Sequence, residues 1–234
     1  MAGGKIRAVL FDKDGTLFDF DATWGAWAKL QIEALAKDAE QASRLAAAIG
    51  FDLDRIEFEP HSPVIAGTVR EAAELLLPHL PGRSLDDLVL ELEQAAHDVP
   101  LVEPVPLAAL LSDLRGRGLQ LGICTNDAES SARAHAAQAG ITDLFDRIIG
   151  YDSGHGAKPT ARPLLAFADS LGLDPAEVVM VGDSQHDLHA ARAAGMIAIG
   201  VLSGPAERAD LAPLADAVLD HIGGLPDWLA QRAG

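Results

Sequence analysis

Two kinds of segment alternate along this chain: short unbroken apolar runs, and longer Ala-rich stretches with helical spacing. Ile6–Phe11 (IRAVLF) is such a run, ended at once by Asp12 and Gly15. Its length and β-branched content predict a buried strand rather than a helix. Similar runs recur at Gln120–Cys124, Val178–Val181, Met196–Val201 and Ala217–Leu219. Between them, Asn126 or Asp127 is placed to cap a helix that stops at Gly140, and Asp174 or Pro175 to open the turn into the Val178 run. Asp187–Ala194 predicts a helix closed by a left-handed Gly195. Strands alternating with helices imply βαβ units, hence an α/β fold with a doubly wound, mainly parallel sheet.

Residues 20–102 break this rhythm. Trp24–Ala48 predicts one long helix or two short ones, and Thr68–Leu77 and Leu85–Ala96 predict further helices, with Pro78, Pro81 and Gly82 between. Thr68 and Glu71 have capping-box spacing. With no convincing strand here, the expectation is an all-helical insertion at 20–102 after the first strand, and a core domain made of 1–19 and 103–234. The linkers Phe18–Thr23 and Leu101–Pro106 are candidate hinges.

Composition narrows the function. At roughly 150 residues per domain, 234 residues suit one large domain carrying an insertion. Eighteen Lys+Arg against 35 Asp+Glu leave a formal charge of −17. Such a surface repels polyanions, which argues against nucleic-acid and anionic-membrane binding. The insertion shares this acidity, with 15 Asp/Glu against 6 Lys/Arg. No apolar run approaches the roughly 20 residues of a membrane span. The start, MAGGKIRAVLFDKDG, is too short in apolar residues for a signal peptide. One cysteine, Cys124, fits a reducing compartment and reads as a small buried filler. The expectation is a cytoplasmic protein, with monomer and homodimer both open, and the acidity is compatible with a local basic pocket for one small phosphorylated metabolite.

The polar residues fall where a parallel sheet would gather them. The first run ends in Asp12-Lys13-Asp14-Gly15-Thr16, the second in Thr125-Asn126, and the Val178 run in Gly182-Asp183-Ser184 with Asp187 a turn later; a loop carries Lys158-Pro159. Carboxyl ends of parallel strands share one edge, where ligands bind. Carboxylates brought so close repel unless a cation sits among them, and hard oxygen ligands select Mg²⁺. Lys158 and Thr125 supply a charge and a hydroxyl for phosphate oxygens, and the Lys13–Thr16 turn has backbone N–H groups to aim at the same anion. A cation, an anion cradle and a carboxylate nucleophile describe phosphoryl transfer.

Four segments in this order resemble the haloacid dehalogenase superfamily: FDKDGTLFD its first motif, ICTN its second, Lys158 in GAKPTARP its third, and VGDSQHD its fourth. The third reads Ala157 where Gly often precedes the lysine. The helical insertion resembles that family's cap. The resemblance implies that Asp12 is the nucleophile and Asp14 the acid and base. It implies Mg²⁺ held by Asp12, the Asp14 main-chain carbonyl and Asp183, and phosphoryl contacts from Thr125 and Lys158. Asp187 and Ser184 would stand behind these groups. Asn126 and, from the cap, Arg70 are further candidates for binding substrate. The second aspartate, absent from dehalogenases, argues for a phosphate-monoester phosphatase, phosphoglycolate-phosphatase-like in architecture. The alternative is a sugar-phosphate mutase, which the Gly67–Glu71 stretch also resembles. A receiver-type signalling domain fits poorly, because its phosphorylated Asp lies mid-chain.

Other candidates have plainer readings. His186 and His189 read as a solvated helix face, and His155 as part of a mobile glycine loop. Trp24 and Trp27, three apart, read as packing within the cap or at its hinge.

Overall fold

The computed structural model describes residues 5–59 and 62–232. Residues 1–4, part of the segment that argued against a signal peptide, and 233–234, the end of the expected core domain, lie outside the described residues.

Strand β1 (Ala8–Phe11) leads into α1 (Phe20–Leu35) and α2 (Ala39–Ala48). A hairpin of two-residue strands, β2 (Phe51–Asp52) and β3 (Glu57–Phe58), precedes α3 (Val69–Leu76) and α4 (Leu85–Ala96). Then follow α5 (Leu107–Gly116), β4 (Gln120–Cys124), α6 (Glu129–Gln138), β5 (Arg147–Ile149) and α7 (Arg162–Leu171). The chain closes with β6 (Val178–Gly182), α8 (Gln185–Ala194), β7 (Ile197–Val201), α9 (Arg208–Leu211), β8 (Ala217–Leu219) and α10 (Leu225–Arg232).

Six strands form one parallel sheet in the order β5-β4-β1-β6-β7-β8. The order reverses between β1 and β6, the switch point at which doubly wound sheets bind ligands. Along β1 and β6 alternate residues enter opposite cores, as a period of two requires. Val9, Phe11, Val179 and Val181 pack on one face, and Ala8, Leu10, Val178 and Met180 on the other. Burial on both faces explains why these runs are continuously apolar.

The stretch before β4 has an apolar cluster of its own, including Ile32, Leu45, Leu76, Leu88 and Leu92 from all four of its helices. Helix α3 starts with the capping box, since Glu71 N donates to Thr68 Oγ1 and Thr68 N to Glu71 Oε2. The β2–β3 hairpin departs from the reading of this stretch as strand-free; strands of two residues are too short to leave an alternation in the sequence. Gly195 ends α8 in the left-handed conformation. Among the described residues no helix is long and apolar enough to cross a membrane.

Candidate active site

The first aspartate loop is a tight turn at the end of β1. Leu17 N and Phe18 N donate to the Lys13 carbonyl at 2.8 and 3.0 Å. Gly15 N donates to the Phe18 carbonyl, and Thr16 N to that of Lys13. Those two N–H groups are therefore spent inside the loop and are not the ones that the Lys13–Thr16 turn could aim at an anion. Gly15 adopts φ +77°, and a Cβ there would overlap the Asp183 carboxylate. The residue is thus doubly constrained to glycine.

Asp12, Asp183 and Asp187 come together, buried, with one ligand atom from each within 4.8 Å of the others. Lys158 reaches into them: its Nζ lies 2.7 Å from Asp12 Oδ1 and 2.6 Å from Asp187 Oδ1. Asp187 is held at its other oxygen by the first turn of α8, where Ser184 Oγ donates to Oδ2 at 2.6 Å. Burial, only partly offset by Lys158, and the neighbouring Asp187 and Asp14 push the Asp12 carboxyl up to about 7. Burial, then Asp12 and Asp187, likewise drive Asp183 well above the usual carboxylate range. Burial alone would depress the Lys158 ammonium, but Asp12 and Asp187 outweigh it and hold its pKa above the ordinary value. A buried cluster of oxygen donors whose charges oppose one another fits a hard divalent cation such as Mg²⁺.

Asp14 faces the same cavity with one oxygen committed. Its Oδ1 accepts from Lys13 Nζ at 2.7 Å and from Trp24 Nε1 at 2.8 Å. Thr125 also lines this cavity, its Oγ1 accepting from Asp127 N.

Of the two further expected binding residues, Asn126 lines the cavity and Arg70 does not. Asn126 spends its side chain on backbone: Oδ1 accepts from Lys158 N, and Nδ2 donates to the carbonyls of Lys158 and Ala66, all at 2.9 Å. It clamps the loop that carries Lys158 to the segment before α3. Arg70 is not brought to the cavity; it pairs with Asp86 at 2.8 Å, and both side chains are largely exposed.

Three residues were missed or given a plainer reading. Trp24 anchors Asp14 rather than only packing. His186 lines the cavity, and its Nδ1 donates to the Ala66 carbonyl at 2.9 Å instead of facing solvent. Lys13 is fully buried; its position between two aspartates was the one available sign. Cys124 is buried as expected, and its thiol is pushed up to about 12 by burial.

A doubly wound sheet with an acidic cluster and a buried lysine at its switch point defines a class of α/β enzymes that handle anionic esters. Residues 6–195 match the model of the haloacid dehalogenase-like hydrolases. The phosphoglycolate phosphatase of Chromobacterium violaceum is 35% identical over 224 residues, 96% of either chain. That of Rhodospirillum rubrum is 42% identical over 122 residues, 52% of this chain and 50% of its own. The latter alignment thus spans about half the length of that relative. CbbY from Rhodobacter sphaeroides, solved in complex with phosphate, shares the fold with a TM-score of 0.72 at 21% identity, covering 94% of this chain and 96% of its own. The chain belongs to the haloacid dehalogenase-like hydrolases.

Proposed function

We propose that this hydrolase is a Mg²⁺-dependent phosphatase that cleaves a small phosphate monoester through a phosphorylated Asp12. The observation that carries the reading is Lys158 Nζ bonded to Asp12 Oδ1 within the buried cluster of Asp12, Asp183 and Asp187. Asp12, Asp183 and the Asp14 main-chain carbonyl would hold the ion, with Asp187 behind them. When bound, Mg²⁺ supplies positive charge that offsets the carboxylates and the substrate phosphate.

In the first step Asp12 attacks phosphorus, and the ester oxygen leaves with a proton from Asp14. In the second, water attacks the same phosphorus, gives its proton to Asp14, and the Asp12–phosphorus bond breaks. Trp24 and Lys13 fix Asp14 through Oδ1, which leaves Oδ2 for proton exchange. Thr125 and Lys158 hold the transferring group and spread its charge. Residues 20–102 act as a cap over a core of 1–19 and 103–234, excluding bulk water while the intermediate stands. Asp19 N donates to the Val102 carbonyl at 2.8 Å, tying the two linkers together where such a cap would hinge. The names of the curated relatives make phosphoglycolate one candidate substrate, and sugar phosphates are others. The reading includes a cytoplasmic location, in keeping with the single cysteine.

Hydrolysis of para-nitrophenyl phosphate tests this reading. Turnover is expected to require Mg²⁺, to stop with EDTA and to return on adding the metal. Asp12→Asn is expected to abolish it with the circular dichroism spectrum unchanged, and retained turnover in that variant would falsify Asp12 as nucleophile.

A further inference from the structure

The cavity that holds Asp12 and Lys158 does not end at the catalytic groups. It continues among the helices of residues 20–102. Away from the aspartates its wall is hydrocarbon and aromatic, formed by Phe20, Trp24, Trp27, Ile32, Leu76 and Leu92, with Gln31 and Thr68 as polar interruptions.

Charge on the wall is one-sided. Among the described lining residues Lys158 is the only Lys or Arg, and it is already bonded to Asp12 and Asp187. Arg70, the cation of the capping-box helix, is paired with Asp86 outside the cavity. His186, also on the wall, donates through Nδ1 to the Ala66 carbonyl. A substrate tail bearing a carboxylate would therefore enter an apolar wall without a counter-charge, with Asp14 and Asp127 among the nearby groups. Burying an unpaired charge so is strongly unfavourable.

We infer that the substrates are phosphate monoesters of uncharged, predominantly apolar alcohols, branched or aromatic, whose hydrocarbon body fills this cavity while the phosphate meets Asp12. The inference rests on the phosphatase reading and adds to it the class of the alcohol. The bond broken is the same, ester oxygen to phosphorus, with water as co-reactant and the alcohol and inorganic phosphate as products.

The test compares kcat/KM of the Mg²⁺-loaded enzyme for 2-phenylethyl and 3-methylbutyl phosphate with that for phosphoglycolate and glycerol 3-phosphate. All are alkyl esters, so the comparison reports fit more than leaving-group chemistry. The apolar esters are expected to be at least tenfold better, and straight-chain esters from ethyl to hexyl to gain about fourfold per methylene. Ala72→Leu, which fills part of the wall, is expected to lower the ratio of 2-phenylethyl to ethyl phosphate at least fivefold, with folding checked by the unfolding midpoint. A phosphoglycolate rate equal to or above those of the apolar esters overturns the inference and leaves the phosphatase reading standing, as does a flat alkyl series. Failure to hydrolyse any monoester overturns both.

Discussion

Lys13 Nζ lies 2.7 Å from Asp14 Oδ1, a pairing of sequence neighbours that the turn after β1 folds to one side. The lysine is fully buried, with Asp127 Oδ2 at 3.2 Å in an ion pair short of hydrogen-bond alignment, His135 Nδ1 at 3.0 Å and the Trp24 ring face at 5.1 Å. Burial alone would depress its pKa, but the Asp14 and Asp127 carboxylates outweigh that and raise it. Among the described residues, the ammonium is thus the only charge balancing the two carboxylates in this pocket.

Lys13→Met keeps the length of the side chain and removes the charge. Breaking a buried ion pair from one side costs about 3–5 kcal/mol, because the partner charge is left unpaired. Urea unfolding is expected to show a loss of that size. Steady-state kinetics are expected to show kcat falling more than KM rises, since Asp14 loses one of two bonds at Oδ1. A variant as stable and as active as the parent would show that Lys13 does not hold Asp14.

His135 gives a pH dependence with a definite sign. Its Nε2 must donate to the Ala96 carbonyl at 2.7 Å, so Nδ1 is the acceptor for Lys13 and the ring is neutral. Burial, then the Lys13 charge, depress it to about 4 from an ordinary 6.5. Below 6.5 the unfolded chain takes a proton that the folded one refuses, so stability is present above 6.5 and lost as pH falls toward 4. The whole window amounts to up to about 3 kcal/mol. Asp12 acts oppositely: raised to about 7, its contribution is present below the usual carboxylate pKa and lost as pH rises through 7. The difference in unfolding free energy between parent and His135→Gln isolates the histidine. That difference is expected to shrink between pH 7 and pH 4.5, and a constant difference would exclude the neutral, buried ring.

The readable parts of this fold were those encoded locally. Leu85–Ala96 carries its own cap and spacing and forms a helix over just those residues. The runs at Ala8–Phe11 and Val178–Gly182 are buried on both faces, so they stand out as apolar. By contrast, Arg147–Ile149 is a three-residue edge strand with an exposed first residue, too short to show a period, and it went unread. The same division holds at the site. Asp12, Lys158, Asp183 and Asp187 could be gathered from their places after strands and in loops, because parallel topology brings such positions to one edge. The roles of Asn126 and His186 could not be, since both depend on a carbonyl, that of Ala66, whose position is set by packing 60 and 120 residues away in sequence.

Gly204 shows the same limit and can be tested directly. Nothing in Leu202-Ser203-Gly204-Pro205 marks it as part of the site, yet Ser203 Oγ donates to the Gly15 carbonyl at 2.8 Å and pins this loop on the first aspartate turn. A Cβ on Gly204 would overlap the Asp183 carboxylate, as one on Gly15 would from the other side. Asp183 is therefore held between two backbones that come close only because both residues lack side chains. Gly15 also needs a positive φ, so its replacement would mix strain with crowding; Gly204 does not, and isolates the crowding. Gly204→Ala is expected to displace Asp183 and to weaken Mg²⁺-dependent activity by about 10- to 100-fold, the range seen when groups that orient metal ligands are disturbed. The apparent Mg²⁺ affinity, from activity against metal concentration, is expected to fall with it, while the urea midpoint changes little. Gly116→Ala, at the end of α5 with nothing within 4 Å of the added carbon, serves as the control and is expected to match the parent. If Gly204→Ala keeps both its activity and its metal dependence, Asp183 is not confined as described and the closeness of the two loops has no part in catalysis.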